Sequence, residues 1–304
     1  MLENVAAPID LQPGLHELAR LVREAVGPGG EERRLGPVWA MRAARPTEPA
    51  HAMYTPMLCV IAQGGKRLLV GDERYVYDEG RFLLNSVTIP AAGQVIEATP
   101  ERPCLWTMIE LDPSMVLAVI AEAGLANDAD VPPLRAMGAP VLDRPTLDAV
   151  VRLLRLFESP ADFDFLSPLL LKEIVYRLLT GEQALRLRQI ATQGGQAHRI
   201  VRAVQWLREH FDRPFSVESL AYECGMSPSS LHHQFKAVTA MSPLQFQKRM
   251  RLQEASRLML AEGLDAASAG FRVGYEDPAY FSREYRRFFG APPRRHTTRL
   301  RSEV

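Results

Sequence analysis

Between Trp39 and Leu111 the chain alternates short apolar runs with turn residues. MLCVIAQ precedes GG at 64–65, KRLLV precedes GDE at 71–73, and RYVY precedes DEG at 78–80. RFLL, QVIEAT and CLWTMIEL complete the series. Runs of this length, separated by Gly and Asp turns, predict a small antiparallel barrel or sandwich. Before them, residues 1–35 read as an amphipathic helical arm broken by GPGG at 27–30. From Pro113 onward the apolar period becomes helical, in TLDAVVRLLRLFE and in SPLLLKEIVYRLLTGEQALRLRQI. The second segment aligns Leu171, Ile174, Leu178 and Leu185 on one stripe, suited to packing on the barrel or on a second copy. ATQGGQ at 191–196 is small and polar and predicts a linker. Residues 197–299 hold no strand-like run and read as consecutive helices. The expected fold is α+β: a barrel with following helices over 1–190, a linker over 191–196, and an all-α domain over 197–304.

The all-α part contains a repeat. AYECGMSPSSLHHQFKAVTAMSP at 221–243 resembles GFRVGYEDPAYFSREYRRFFGAPP at 270–293. Gly225 matches Gly274 at an offset of 49; Leu231 with Phe281, Phe235 with Tyr285 and Pro243 with Pro293 match at 50. Two copies of one supersecondary unit are indicated. Each has the marks of a helix-turn-helix. In the first, VESLAYE is a short helix, Gly225 takes the turn, Ser227 caps, and Pro228 opens a helix whose Leu231 and Phe235 face the core. In the second, Gly274 turns, Asp277 caps, Pro278 opens, and Phe281, Tyr285 and Phe288 form the apolar stripe. The arginines of that helix fall on the opposite face. Between the units, Pro243 opens about 18 helical residues, roughly 27 Å of rise. That length suits two recognition helices near one DNA turn apart, roughly 34 Å.

Charge sharpens this picture. The net charge is zero. Residues 1–195 nevertheless hold 19 Lys+Arg against 25 Asp+Glu, and residues 196–304 hold 17 against 11. One domain is thus suited to a polyanion and the other is not. No apolar run reaches the roughly 18 residues of a membrane span, and the N-terminus lacks a signal-peptide pattern, so no membrane partner and a cytoplasmic location are expected. Cys59, Cys104 and Cys224 are far apart and form no CxxC. Only His16 and His51 precede residue 197, so no metal and no cofactor is expected, and a metal-dependent barrel enzyme is disfavoured. No catalytic motif is present.

LAYECGMSPSSLHHQFK and VGYEDPAYFSREYRRFFGAPP, with RLQEASRLML between them, closely resemble the AraC/XylS family of transcription regulators. PMLCVIAQGGKRLLVGDERYVYDEGRFLL and LLLKEIVYRLLTGEQALRLRQIA resemble the AraC-type N-terminal domain, a cupin-like barrel followed by helices. The resemblance implies a non-enzymatic regulator with double-stranded DNA, a small-molecule effector, a second copy and RNA polymerase as partners. It also implies that the exposed positions of each second helix read bases. These are Ser229, His232 and His233 in the first unit, and Ala279, Ser282 and Arg283 in the second. Lys236, Arg286 and Arg287 are the expected phosphate contacts. The chain departs from the family pattern at Ala240, where glycine is usual, and at Gly270, where alanine is usual; a looser second unit is expected there.

For the barrel, Met57, Cys59, Trp106 and Met108 alternate along two strands and suit an effector pocket. The opposite register, with Leu105, Thr107 and Ile109 inside, is equally compatible with the pattern. A thiol sensor at Cys59 or Cys104, with Arg102 nearby, is one alternative; an effector-free dimerisation scaffold is another.

Overall fold

The computed structural model describes residues 9–125, 132–191 and 195–302. The first eight residues of the expected arm and the centre of the expected linker lie outside the described residues. After a short 3-10 turn comes helix α1 (Gln12–Val26). Nine strands follow: β1 (Glu32–Leu35), β2 (Val38–Ala43), β3 (Ala50–Tyr54), β4 (Met57–Gln63), β5 (Gly65–Val70), β6 (Glu73–Asp78), β7 (Phe82–Asn85), β8 (Ile89–Glu97) and β9 (Cys104–Glu110). Then come α2 (Pro113–Glu122), the two-residue β10 (Met137–Gly138), α3 (Arg144–Arg155), α4 (Pro160–Thr180) and α5 (Ala184–Ala191). The C-terminal part is α6 (Gly195–Glu209), α7 (Val217–Glu223), α8 (Pro228–Thr239), α9 (Pro243–Ala261), α10 (Ala266–Arg272), α11 (Pro278–Phe289) and α12 (Pro293–Ser302).

The strands form two sheets, in the orders β1-β2-β9-β4-β7-β10 and β3-β8-β5-β6, and every pairing is antiparallel. The expected α+β architecture is the observed one. Strand alternation divides the first sheet cleanly. Leu58, Val60, Leu105 and Ile109 pack outward with Leu15, Leu18, Val150, Leu154, Ile174 and Leu178 of α1, α3 and α4. Cys59, Ile61, Cys104 and Trp106 point the other way, toward Leu68, Tyr77, Ile89, Ala91 and Val95 of the second sheet. With both faces buried, β4 reads as a continuous apolar run rather than an alternating one.

The long helical segment after the barrel is two helices, broken at Gly181. Leu171, Ile174 and Leu178 are buried within this domain, while Leu185 is 46% exposed. The apolar stripe is therefore used internally. A different stripe of α4 faces outward, with Phe165 77%, Leu169 58% and Tyr176 46% exposed.

Candidate nucleic-acid interface and barrel interior

Both helix-turn-helix units form as the repeat predicts. Ser216 caps α7 through the Ser219 N–H, Ser227 caps α8 through the Ser230 N–H, and Asp277 caps α11 through the Ala279 N–H. Gly225 and Gly274 take positive φ, 64° and 88°. Leu231, Phe235, Phe281 and Tyr285 are fully buried. Ser229, His232, His233 and Lys236 are exposed on α8, as are Ala279, Arg283, Arg286 and Arg287 on α11; Ser282 is partly buried. The Arg283 guanidinium lies 5.9 Å from the Tyr280 ring centre. Lys248 of α9 pairs with Glu284 of α11. Lys248, Arg251, Tyr280 and Arg283, together with Glu276 and Asp277, line an open groove of about 500 Å³ beside α11.

The family departures have local reasons. Ala240 ends α8 at φ 62°, among the described residues the one non-glycine at positive φ, a conformation that costs an L-residue roughly 1–2 kcal/mol. At Gly270 a Cβ would lie 2.9 Å from Phe281 Cγ, so the Phe281 ring occupies the space an alanine there would need. The third member of the predicted stripe, Phe288, is only partly buried in its own unit and reaches the barrel instead.

Sequence reasoning missed the barrel's grip on this domain. The segment before β10 covers the C-terminus of α8: Arg135 Nη1 donates to the Lys236 and Ala237 carbonyls, both at 2.5 Å, and the Ala136 N–H donates to Val238 O at 2.9 Å. These are the carbonyls a helix leaves unpaired, and a cation beside them also suits the helix dipole. Glu73 of β6 pairs with Arg135, and Arg186 and Gln189 of α5 hold the carbonyls of Arg135 and Leu134. The β5–β6 turn meets the same corner. A Cβ on Gly71 would come within 2.4 Å of Ala240 O, and Arg249 of α9 donates to Gly71 O at 3.3 Å.

His51, on the outer face of β3, closes the third contact. Its ring lies 4.4 Å from Phe288 and 5.0 Å from Phe289 at the end of α11. Burial, and then the charges of Arg249 and His296, push its pKa down to about 4. His296, also lowered by burial, receives or donates a 2.8 Å hydrogen bond with Tyr285. The docked arrangement holds His51 neutral. Its stability should be complete above the ordinary histidine value of 6.5 and be lost as pH falls from there toward 4. The protection of α11 amides, taken relative to their intrinsic exchange rates, is expected to fall between pH 7 and 4 in the native chain and to fall less in His51→Leu. Equal pH profiles would exclude the contact as the titrating element.

In the barrel, Cys59, Trp106 and Met108 share the interior face, whereas Met57 stands partly exposed at the strand end, paired with Asn85 and Glu110. Leu105 and Ile109 face the helices, and Thr107 donates to Trp39 O at 2.8 Å. Burial pushes the Cys59 thiol up and Cys104 to about 12. Arg102 is paired with Glu79 and Glu97 instead of Cys104. Neither thiol is a thiolate at neutral pH, which removes the main support for a thiol sensor. Among the described residues no three His, Cys, Asp or Glu side chains cluster to hold a metal ion, and no helix is long and apolar enough to cross a membrane.

A two-sheet barrel gripping a tandem helix-turn-helix, with basic second helices turned outward, defines a DNA-binding regulator. Residues 34–186 match the family model of the AraC-type transcriptional regulator N-terminus, and residues 220–299 match a helix-turn-helix domain. This chain belongs to the AraC family of transcriptional regulators. The HTH-type transcriptional activator RhaS of Escherichia fergusonii is 29% identical over 156 residues, 50% of this chain and 55% of that protein. The arabinose operon regulatory protein of Escherichia coli K12 is 32% identical over 97 residues, 32% and 33% of the two chains. The matched region thus spans about half or less of these relatives' length. Among solved structures, ToxT from Vibrio cholerae with a bound unsaturated fatty acid covers 86% of this chain and 93% of its own, with a TM-score of 0.54 at 8% identity, a likeness of fold.

Proposed function

We propose that this regulator sets α8 and α11 into two successive major grooves of an operator, and that an effector in the barrel changes how the two domains dock. The observation that carries the DNA reading is the division of each recognition helix into a buried apolar face and an exposed face bearing the predicted readers. The 19-residue α9 spans about 28 Å, near one DNA turn. In this reading Arg283 donates bidentately to guanine O6 and N7, Ala279 meets a thymine methyl, and Ser229, His232, His233 and Ser282 hydrogen-bond to base edges. Lys236, Arg286 and Arg287 neutralise phosphates and set the register. The domains divide at 191–196, and the protein works in the cytoplasm.

The effector acts through Arg135, Gly71 and His51, provided it binds the docked and released arrangements with different affinity. ToxT, alike in fold, carries a bound unsaturated fatty acid, which supports a ligand-holding role for this regulator. The outward stripe of Phe165, Leu169 and Tyr176 supports a homodimer through α4. RhaS is named an activator, which supports activation and contact with RNA polymerase here. Arg283→Ala tests the reading, by anisotropy on operators selected from a random DNA pool. Discrimination at one base position should fall about 5- to 100-fold, with non-specific affinity nearly unchanged. Unchanged base preference would refute Arg283 as a reader.

A further inference from the structure

Among the described residues, the barrel interior contains a lysine with no carboxylate partner. Lys66 lies on β5 in register with Tyr77 and Val95, on the face that carries Leu68 and Val70 inward. Its Nζ sits 3.9 Å from the centre of the Trp106 ring, and burial pushes its pKa below the usual lysine value. No carboxylate pairs with Lys66 among the described residues. Trp106 Nε1 is buried and also without a hydrogen-bond partner. Two neighbouring donors therefore lie together in the barrel interior with no carboxylate partner. Burying an ammonium is costly unless it is paired, and a cation–π contact offsets only part of that cost.

The interior is also not closed at this end. Lys66, Met41 and Met108 keep partial solvent exposure although Met41 and Met108 flank Trp106 in the sheet. Their neighbours Cys59, Ile61, Cys104 and Leu68 are buried. The lining is apolar apart from the two donors, Tyr54, Tyr77 and the thiols.

We propose that the barrel's effector is a monocarboxylate with an apolar body, its carboxylate seated on Lys66 Nζ and Trp106 Nε1. This rests on the reading of the barrel as an effector domain. One negative charge matches the one lysine. A phosphate monoester would bring a second charge into apolar walls with no cation to meet it. An alcohol would leave the lysine charge uncompensated. Lys66 also lies on the strand whose other end reaches Gly71 and the α8–α9 corner, so a ligand held there pulls on the interdomain contact.

The test uses the full chain and a panel of straight-chain monocarboxylates from butanoate to decanoate, plus benzoate, each beside its matching primary alcohol. Melting temperature and tryptophan fluorescence are read, with DNA binding measured on the same samples. At least one acid should bind, its alcohol should not, and Lys66→Met should weaken the acid about 10- to 100-fold. The variant's own melting point should hold or rise, because a desolvated charge is gone. Trp106→Phe keeps the ring, removes the N–H, and should weaken acids several-fold; it serves if Lys66→Met fails to fold. The proposal is overturned if alcohols bind as well as acids, if nothing in the panel binds, or if both variants bind acids normally. It is equally overturned if Lys66 is instead captured by an aldehyde under borohydride while acids stay silent. DNA binding that persists through such a failure leaves the regulator reading intact; DNA binding absent from the native chain sinks that reading whatever the ligand does.

Discussion

Gly274→Ala is expected to unfold the second helix-turn-helix unit while Gly225→Ala, at the matching turn of the first, only weakens its unit. Both glycines take positive φ, so both pay the roughly 1–2 kcal/mol of placing an L-residue there. Their surroundings differ. Around Gly225 nothing lies within 4 Å of an added Cβ. At Gly274 the Cβ would fall 1.9 Å from the Asp212 carbonyl oxygen and 2.7 Å from its carbon. Those atoms are backbone, and they are held: Arg251 donates to Phe211 O at 2.6 Å and to Gly274 O at 2.9 Å, tying the turn to the end of α6. The turn must move, and the repacking adds about 1–3 kcal/mol. A total of about 2–5 kcal/mol is a large share of a domain's stability. Hydrogen exchange should lose protection in α10 and α11 in Gly274→Ala alone, with the barrel unchanged. Two variants of equal stability would contradict the steric account.

DNA affinity should fall steeply with salt although the whole chain carries no net charge. Each phosphate neutralised contributes a slope of about −0.9 in log affinity against log salt. Lys236, Arg286 and Arg287 together give about −2.7 per protomer, so a rise from 50 to 200 mM costs about 40-fold, and roughly 2,000-fold for a dimer. Replacing all three by alanine should remove that part of the slope uniformly across DNA sequences. The Arg283→Ala effect, in contrast, should depend on sequence. A flat salt response in the native chain, or an unchanged slope in the triple variant, would reject these three residues as the phosphate contacts.

Legibility differed by scale. The repeat was readable because a helix-turn-helix needs its turn glycine, its cap and its apolar pair at fixed local spacings. Those features survive in 221–243 and 270–293 whatever surrounds them. The exposed faces followed from the same spacing. The barrel was readable as strands, but its register was not, because period-two alternation fits either face when both are buried. Burial of Leu105 and Ile109 under the helices resolves it. Lys66 had a usable sign: in KRLLV it alternates with Leu68 and Val70, which puts a lysine on an apolar strand face. His51 and Arg135 had none. Each acquires its role only from residues 198 to 245 and 101 to 102 positions away. The Gly270 expectation rested on helix propensity, which counts backbone freedom and omits the Phe281 ring that occupies the space.

By itself the chain determined the strand-rich and helical parts, the tandem unit, the caps, and the separation of aromatic from basic faces along each recognition helix. All are local consequences of helix and strand period. Tertiary structure alone decided which side of the barrel is inside, which stripe of α4 is left uncovered, and how the barrel grips α8 and α11. Those depend on contacts between residues far apart in sequence, where shape, unpaired carbonyls and desolvation act together and no pattern in the chain records them.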